Sequence, residues 1–105
     1  MSKILEALKE YIKYSKLPEI DFYSKDDMKW KELKREVIDN VKEYEMISNI
    51  EVETIVEQHG EIFIYKGLFL SGHKLEVLHN PNMGKYISSD EYVGIIYEGE
   101  IKWNQ

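Results

Sequence analysis

The sequence predicts an α+β domain: two N-terminal helices packed on a four- to five-stranded antiparallel meander, as an open sheet or a small partly closed barrel. Three observations carry that expectation. Apolar residues recur every three or four positions as far as about residue 46, then every second position from about residue 50. Turn formers punctuate the second half at short intervals. With 105 residues, 43% of them hydrophobic and only 6 Gly and 2 Pro, the chain has the size and balance of a single folded domain, 1–105.

The first helix is expected over 2–16. Ile4, Leu5, Leu8, Tyr11 and Ile12 fall on one helical face, Ser2 is placed to cap the N-terminus, and Pro18 ends the pattern. Residues 17–23 read as an ordered connection with Ile20 and Phe22 packed beneath it. A second helix follows from a Ser24 cap with Asp26 and Asp27 in its first turn, where carboxylates favour the positive end of the helix dipole. Its stripe of Trp30, Leu33, Val37, Val41 and Tyr44 carries it to about Met46, with Trp30 and Tyr44 as core residues.

At Ser48-Asn49 the period changes to two. Residues 50–57 alternate Ile50, Val52 and Val56 against Glu51, Glu53 and Glu57, which predicts a strand with an acidic outer face. Gln58-His59-Gly60 turns the chain into a second strand over 61–66, and Gly67 marks a bulge before Leu68-Phe69-Leu70. Ser71-Gly72 turns it again into a third strand over 73–79. Asn80-Pro81-Asn82-Met83-Gly84 reads as a loop, Tyr86-Ile87 as a short strand, and 92–97 with 100–103 as a terminal hairpin across Glu98-Gly99. The β part thus spans 49–104, with helices on one face and the other face partly wet.

Function classes narrow by absence. There is no Cys, so no disulfide, thiolate zinc site or cysteine nucleophile. His73 and His79 lie about 20 Å apart along one expected strand at ~3.3 Å per residue, too far to share a metal ion, and His59 sits in a turn. Ser71, Ser88 and Ser89 lack a nucleophile elbow, and no phosphate-binding glycine loop occurs. The expectation is a non-enzymatic protein with no cofactor and no metal. No run approaches the ~20 apolar residues of a spanning helix or the core of a signal peptide, which points to the cytoplasm.

The formal net charge is -6 and is unevenly spread. Residues 1–48 hold ten Lys/Arg against eleven Asp/Glu, whereas 49–105 hold four against nine. No stretch gathers basic residues without interleaved acids, which argues against direct nucleic-acid binding and for a basic protein partner. Glu51, Glu53 and Glu57 would form a ladder of fixed negative charge. Tyr92, Tyr97 and Trp103, set among Asp90, Glu91, Glu98 and Glu100, have the composition of an interface hot spot. Together they predict a stoichiometric inhibitor of the immunity or counter-defence type, monomeric or weakly dimeric, that occludes a basic effector such as a nuclease. Two other readings compete. One is a ligand or enzyme pocket between the second helix and the sheet, lined by Tyr, His79 and Asn80. The other is an assembly subunit of a phage or mobile element that associates through exposed strand edges.

Overall fold

A computed structural model describes residues 3–15, 25–78 and 80–98. Helices α1 (Lys3–Ser15) and α2 (Lys25–Ile38) precede six strands: β1 (Glu43–Met46), β2 (Ile55–Gln58), β3 (Glu61–Phe69), β4 (Gly72–Val77), β5 (Asn80–Ile87) and β6 (Tyr92–Tyr97). All six join one antiparallel sheet in the order β1-β6-β2-β3-β4-β5. The α+β class with N-terminal helices on an antiparallel, meander-like sheet is therefore what forms. The strand count is six, and β2 to β5 are the meander proper. The last strand returns to lie between β1 and β2, and among the described residues no ladder joins β5 to β1, so the sheet is open.

The helices meet the sheet through the residues their periodicity selects. Leu8, Tyr11 and Ile12 of α1 and Leu33 and Val37 of α2 are buried with Ile55, Ile62, Leu78 and Ile96 in one apolar cluster. Tyr11 stacks on Trp30 with ring centroids 5.9 Å apart, tying α1 to α2. These side chains pack the junction of the two helices with the sheet. His79 lies outside the described residues, as do Ser2, the 17–23 connection, Ser24 and 100–103.

The second face carries a buried cluster of its own, with Glu43 exposed at its β1 margin. Val56, Phe63, Tyr65, Leu75, Ile87 and Val93 form a second buried cluster with Ile47, and Ile50 packs against it. The cluster runs from strand to neighbouring strand, from Val93 on β6 through Val56, Phe63 with Tyr65, and Leu75 to Ile87 on β5, so it spans five adjacent strands of the sheet. Within the cluster, Tyr65 Oη and His73 Nδ1 share a hydrogen bond of 2.6 Å, which gives both buried polar groups a partner.

Three local expectations are overturned. The second helix stops at Ile38, where Asp39 and Asn40 turn the chain and Asn40 Nδ2 donates to the Glu36 carbonyl. Residues 43–46 are consequently a strand, and Tyr44 is 62% exposed instead of core. The strand expected over 50–57 begins only at Ile55, because Glu53 adopts a left-handed φ of 74° that breaks the alternation. Finally, 80–84 belongs to β5. Pro81 is tolerated there because 81–83 fall in the register shift between the Val77–Asn80 and Glu76–Gly84 pairs of an outer strand, and Gly84 is required because a Cβ would stand 2.2 Å from the Leu75 carbonyl oxygen.

The two-residue β2–β3 turn follows its sequence closely: His59 (φ 53°) and Gly60 (φ 82°) both take the positive φ that a type I′ hairpin needs.

Candidate functional site

The expected partner-binding residues do not share one surface. Glu53 leaves its strand direction and pairs with Lys66 at 2.8 Å. Glu51 is exposed in the preceding turn, and Glu57 is only 6% exposed. The acidic ladder therefore does not form. Glu98 lies at the far end of β6, about 20 Å along the strand from Tyr92 at ~3.3 Å per residue, and pairs with Lys42 at 3.3 Å. Tyr97 packs against the helix-side core. Glu100 and Trp103 lie outside the described residues.

What the fold does bring together is the β1–β6 edge with the start of β6. The register aligns Tyr44 with Gly94 on β6 and Gly94 with Glu57 on β2, and aligns Met46 with Tyr92. Tyr44, Met46 and Tyr92 thus stand on the helix-side face of the edge, where Tyr44 is 62% and Tyr92 59% exposed. Glu43 and Glu45, opposite Ile95 and Val93, stand on the other face. The Ile47 N–H donates to the Glu91 carbonyl at 2.8 Å, which carries the pairing one residue further and sets Glu91 and Asp90 beside β1. An exposed pair of tyrosines on one face is backed by carboxylates on the other.

Glu57 holds this edge together from below. Its Oε2 accepts from Tyr44 Oη at 2.9 Å and its Oε1 accepts from the Gly60 N–H at 2.8 Å, so a buried carboxylate has a donor on each oxygen. The contact crosses β6, and glycine at 94 makes room for it. A Cβ there would lie 2.7 Å from Val41 Cγ1, 3.2 Å from the Tyr44 ring and 3.3 Å from Glu57 Oε2. Sequence reasoning missed Tyr44 because its spacing from Val37 and Val41 is helical. The available signals were the Asp39-Asn40 turn and the alternation of Glu43-Tyr44-Glu45-Met46.

Charge follows the sheet order. Strands β1, β6 and β2 carry no Lys or Arg, whereas Lys66, Lys74 and Lys85 lie on β3, β4 and β5. One end of the sheet is acidic and the other carries the lysines. The lysine end also exposes Leu68, Phe69, Leu70, Met83 and Tyr86, with Phe69 edge-on to Tyr86 at 6.4 Å.

Among the described residues no group of three or more His, Asp or Glu is placed to hold a metal ion, and no helix is long and apolar enough to cross a membrane. Comparison with protein-family models, curated protein sequences and solved structures gave no match for the chain.

The tyrosines give this fold an alkaline limit. Burial, then the Glu61 charge, raises the Tyr11 phenol, burial raises Tyr65, and the hydrogen bond to Glu57 followed by its charge raises Tyr44. A phenol raised in the folded state loses its proton first in the unfolded state. Its contribution is therefore complete below about pH 10, the value for a free phenol, and is lost as pH rises through the folded-state values. In an alkaline titration the phenolate absorbance should still be incomplete when the near-UV circular dichroism begins to be lost, because Tyr11 and Tyr65 ionise only as the fold opens. Complete titration with that signal intact would contradict the burial of Tyr11 and Tyr65.

Proposed function

We propose that the protein is a non-catalytic binding domain that presents its β1–β6 edge to a basic protein and blocks it by occlusion, a nucleic-acid-acting effector being the class of partner best matched. The observation that carries this reading is the edge itself. Tyr44 and Tyr92 are exposed on one face, Glu43 and Glu45 occupy the other, and strands β1, β6 and β2 carry no lysine. An acidic edge that exposes aromatic rings on one of its faces suits a cationic surface built for phosphate, where the carboxylates steer the encounter and the rings supply buried contact. Among the described residues nothing pairs with the outer side of β1, which adds backbone donors and acceptors for an extended segment of the partner. Relative to the sequence expectation, the docking set shifts: Asp90, Glu91 and Tyr92 stay, Tyr44, Glu43 and Glu45 join, and Glu57 becomes the group that fixes Tyr44.

The test is affinity capture on the immobilised protein from lysate of cells that encode it, followed by binding kinetics with the captured partner. A basic protein held at about 50 mM salt and released at several hundred millimolar, where screening shortens to a few ångströms, is expected. Its association rate should fall with salt, and the Glu43→Lys/Glu45→Lys variant should lose it. A partner retained equally by wild type and variant, or insensitive to salt, would refute docking through this edge.

A further inference from the structure

The two outer strands of the sheet differ in a way that bears on a second copy of the chain. Among the described residues nothing pairs with the outer side of β1 or of β5. Because six strands alternate in direction, β1 and β5 run opposite to each other. A second molecule in the same orientation, set beside the first, would therefore bring its β1 antiparallel to β5.

The side chains match face by face. On the helix-side face β1 carries Tyr44, and β5 carries Tyr86, which the register places opposite Lys74 and against Phe69. On the face away from the helices β1 carries Glu43 and Glu45, opposite Ile95 and Val93, and β5 carries Lys85, opposite Leu75 and 5.1 Å from the Phe63 ring. Sheet continuation preserves faces, so aromatic residues would meet aromatic residues and carboxylates would meet an ammonium. Both are favourable cross-strand pairs. A β1–β1 contact would instead oppose carboxylates. Charge of a single sign on each edge repels like edges and attracts unlike ones.

We propose that the chain self-associates head to tail, β1 of one molecule pairing antiparallel with β5 of the next through Glu43 and Glu45 against Lys85 and Tyr44 against Tyr86. The contact is heterologous, giving a ring where the rotation closes and an open chain where it does not. It occupies the β1 edge used by the proposed docking function, so a bound copy and a bound partner exclude each other, but it requires no partner to be observed.

Sedimentation velocity over about 10 to 500 µM is the direct test, a range suited to the weak end of specific association. The weight-average sedimentation coefficient of the wild type is expected to rise with concentration. Two charge reversals are then decisive: Glu43→Lys/Glu45→Lys and, separately, Lys85→Glu, each first shown to keep the wild-type melting temperature. Each alone sets like charges across the contact and should weaken association about tenfold or more, whereas mixing the two restores opposite charges at every junction and should restore association. A wild type that stays monomeric throughout, variants that associate as the wild type does, or a mixture no better than its components would each overturn the proposal. Dimers that persist in the Glu43→Lys/Glu45→Lys protein but not in Lys85→Glu would assign the contact to a symmetric β5 pairing and also overturn it. Lys85→Glu leaves β1 unaltered, so partner capture by that variant tests the docking function separately.

Discussion

Leu75→Ala is expected to cost about 2–5 kcal/mol, the range for truncating a fully buried leucine whose site cannot collapse. Leu75 is 0% exposed at the centre of the second cluster, between Phe63 and Tyr65 on β3 and Ile87 on β5, and lies on β4 with a strand on each side. Both neighbouring ladders hold the backbone in place, so the void would persist. A loss of that size is a large fraction of the ~5–15 kcal/mol that stabilises a domain of this length. Denaturant unfolding should show the shift in midpoint at nearly constant slope, and thermal unfolding a fall of roughly 10–20 °C. A change below about 0.5 kcal/mol, the scale of a surface substitution, would mean that the second cluster is not the packed core described above.

Tyr11→Ala should be as costly, about 3–5 kcal/mol, but its loss should be distributed differently. Tyr11 is 0% exposed and stacks on Trp30, an aromatic contact between α1 and α2. Helix α2 in turn packs on β3, and Lys34 pairs with Glu61 at 2.9 Å across that junction. Removing the ring therefore loosens α1 from α2 before it disturbs the strands. Hydrogen exchange should show protection lost over 3–15 while β2, β3 and β6 keep most of theirs, the behaviour of a unit that opens by itself. Equal loss across helices and sheet would instead mean that the two layers unfold as one. Because Tyr11 and Leu75 belong to different clusters, the double variant should be close to additive, within about 0.5 kcal/mol.

The residues that sequence reasoning located well are those whose environment is set by near neighbours. The stripe Leu8, Tyr11, Leu33 and Val37 is core because helical spacing puts those side chains on one face whatever they pack against. The type I′ turn at His59-Gly60 and the β3–β4 hairpin are likewise decided by a few consecutive residues.

The candidate site was only partly legible, since its geometry depends on pairings across long stretches of chain. Tyr92, Asp90 and Glu91 could be singled out from composition, but their neighbours could not. Glu57 reads as the outward member of an alternating strand, yet β6, from almost forty residues later, lies beside β2 and brings Tyr44 to it across Gly94. Once β6 is inserted, the face on which Glu57 stands is interior, and hydrogen bonds from Tyr44 and Gly60 replace the water it gives up. In the same way Asn80-Pro81-Asn82-Met83-Gly84 reads as a loop by every local rule. It joins the sheet because Asn80 and Gly84 pair with Val77 and Glu76 at the outer side of β4, the register shift between them takes up Pro81, and Gly84 allows the backbones to approach.

The sequence by itself determined the class of the fold, the helical core stripe and the concentration of acid in the second half. The tertiary structure decided which strands are neighbours, and with that which carboxylates are buried, paired or exposed. The physical reason is the range of the forces involved. Periodicity and turn chemistry act within a few residues, whereas burial of a strand face is settled only when the distant segment that covers it arrives.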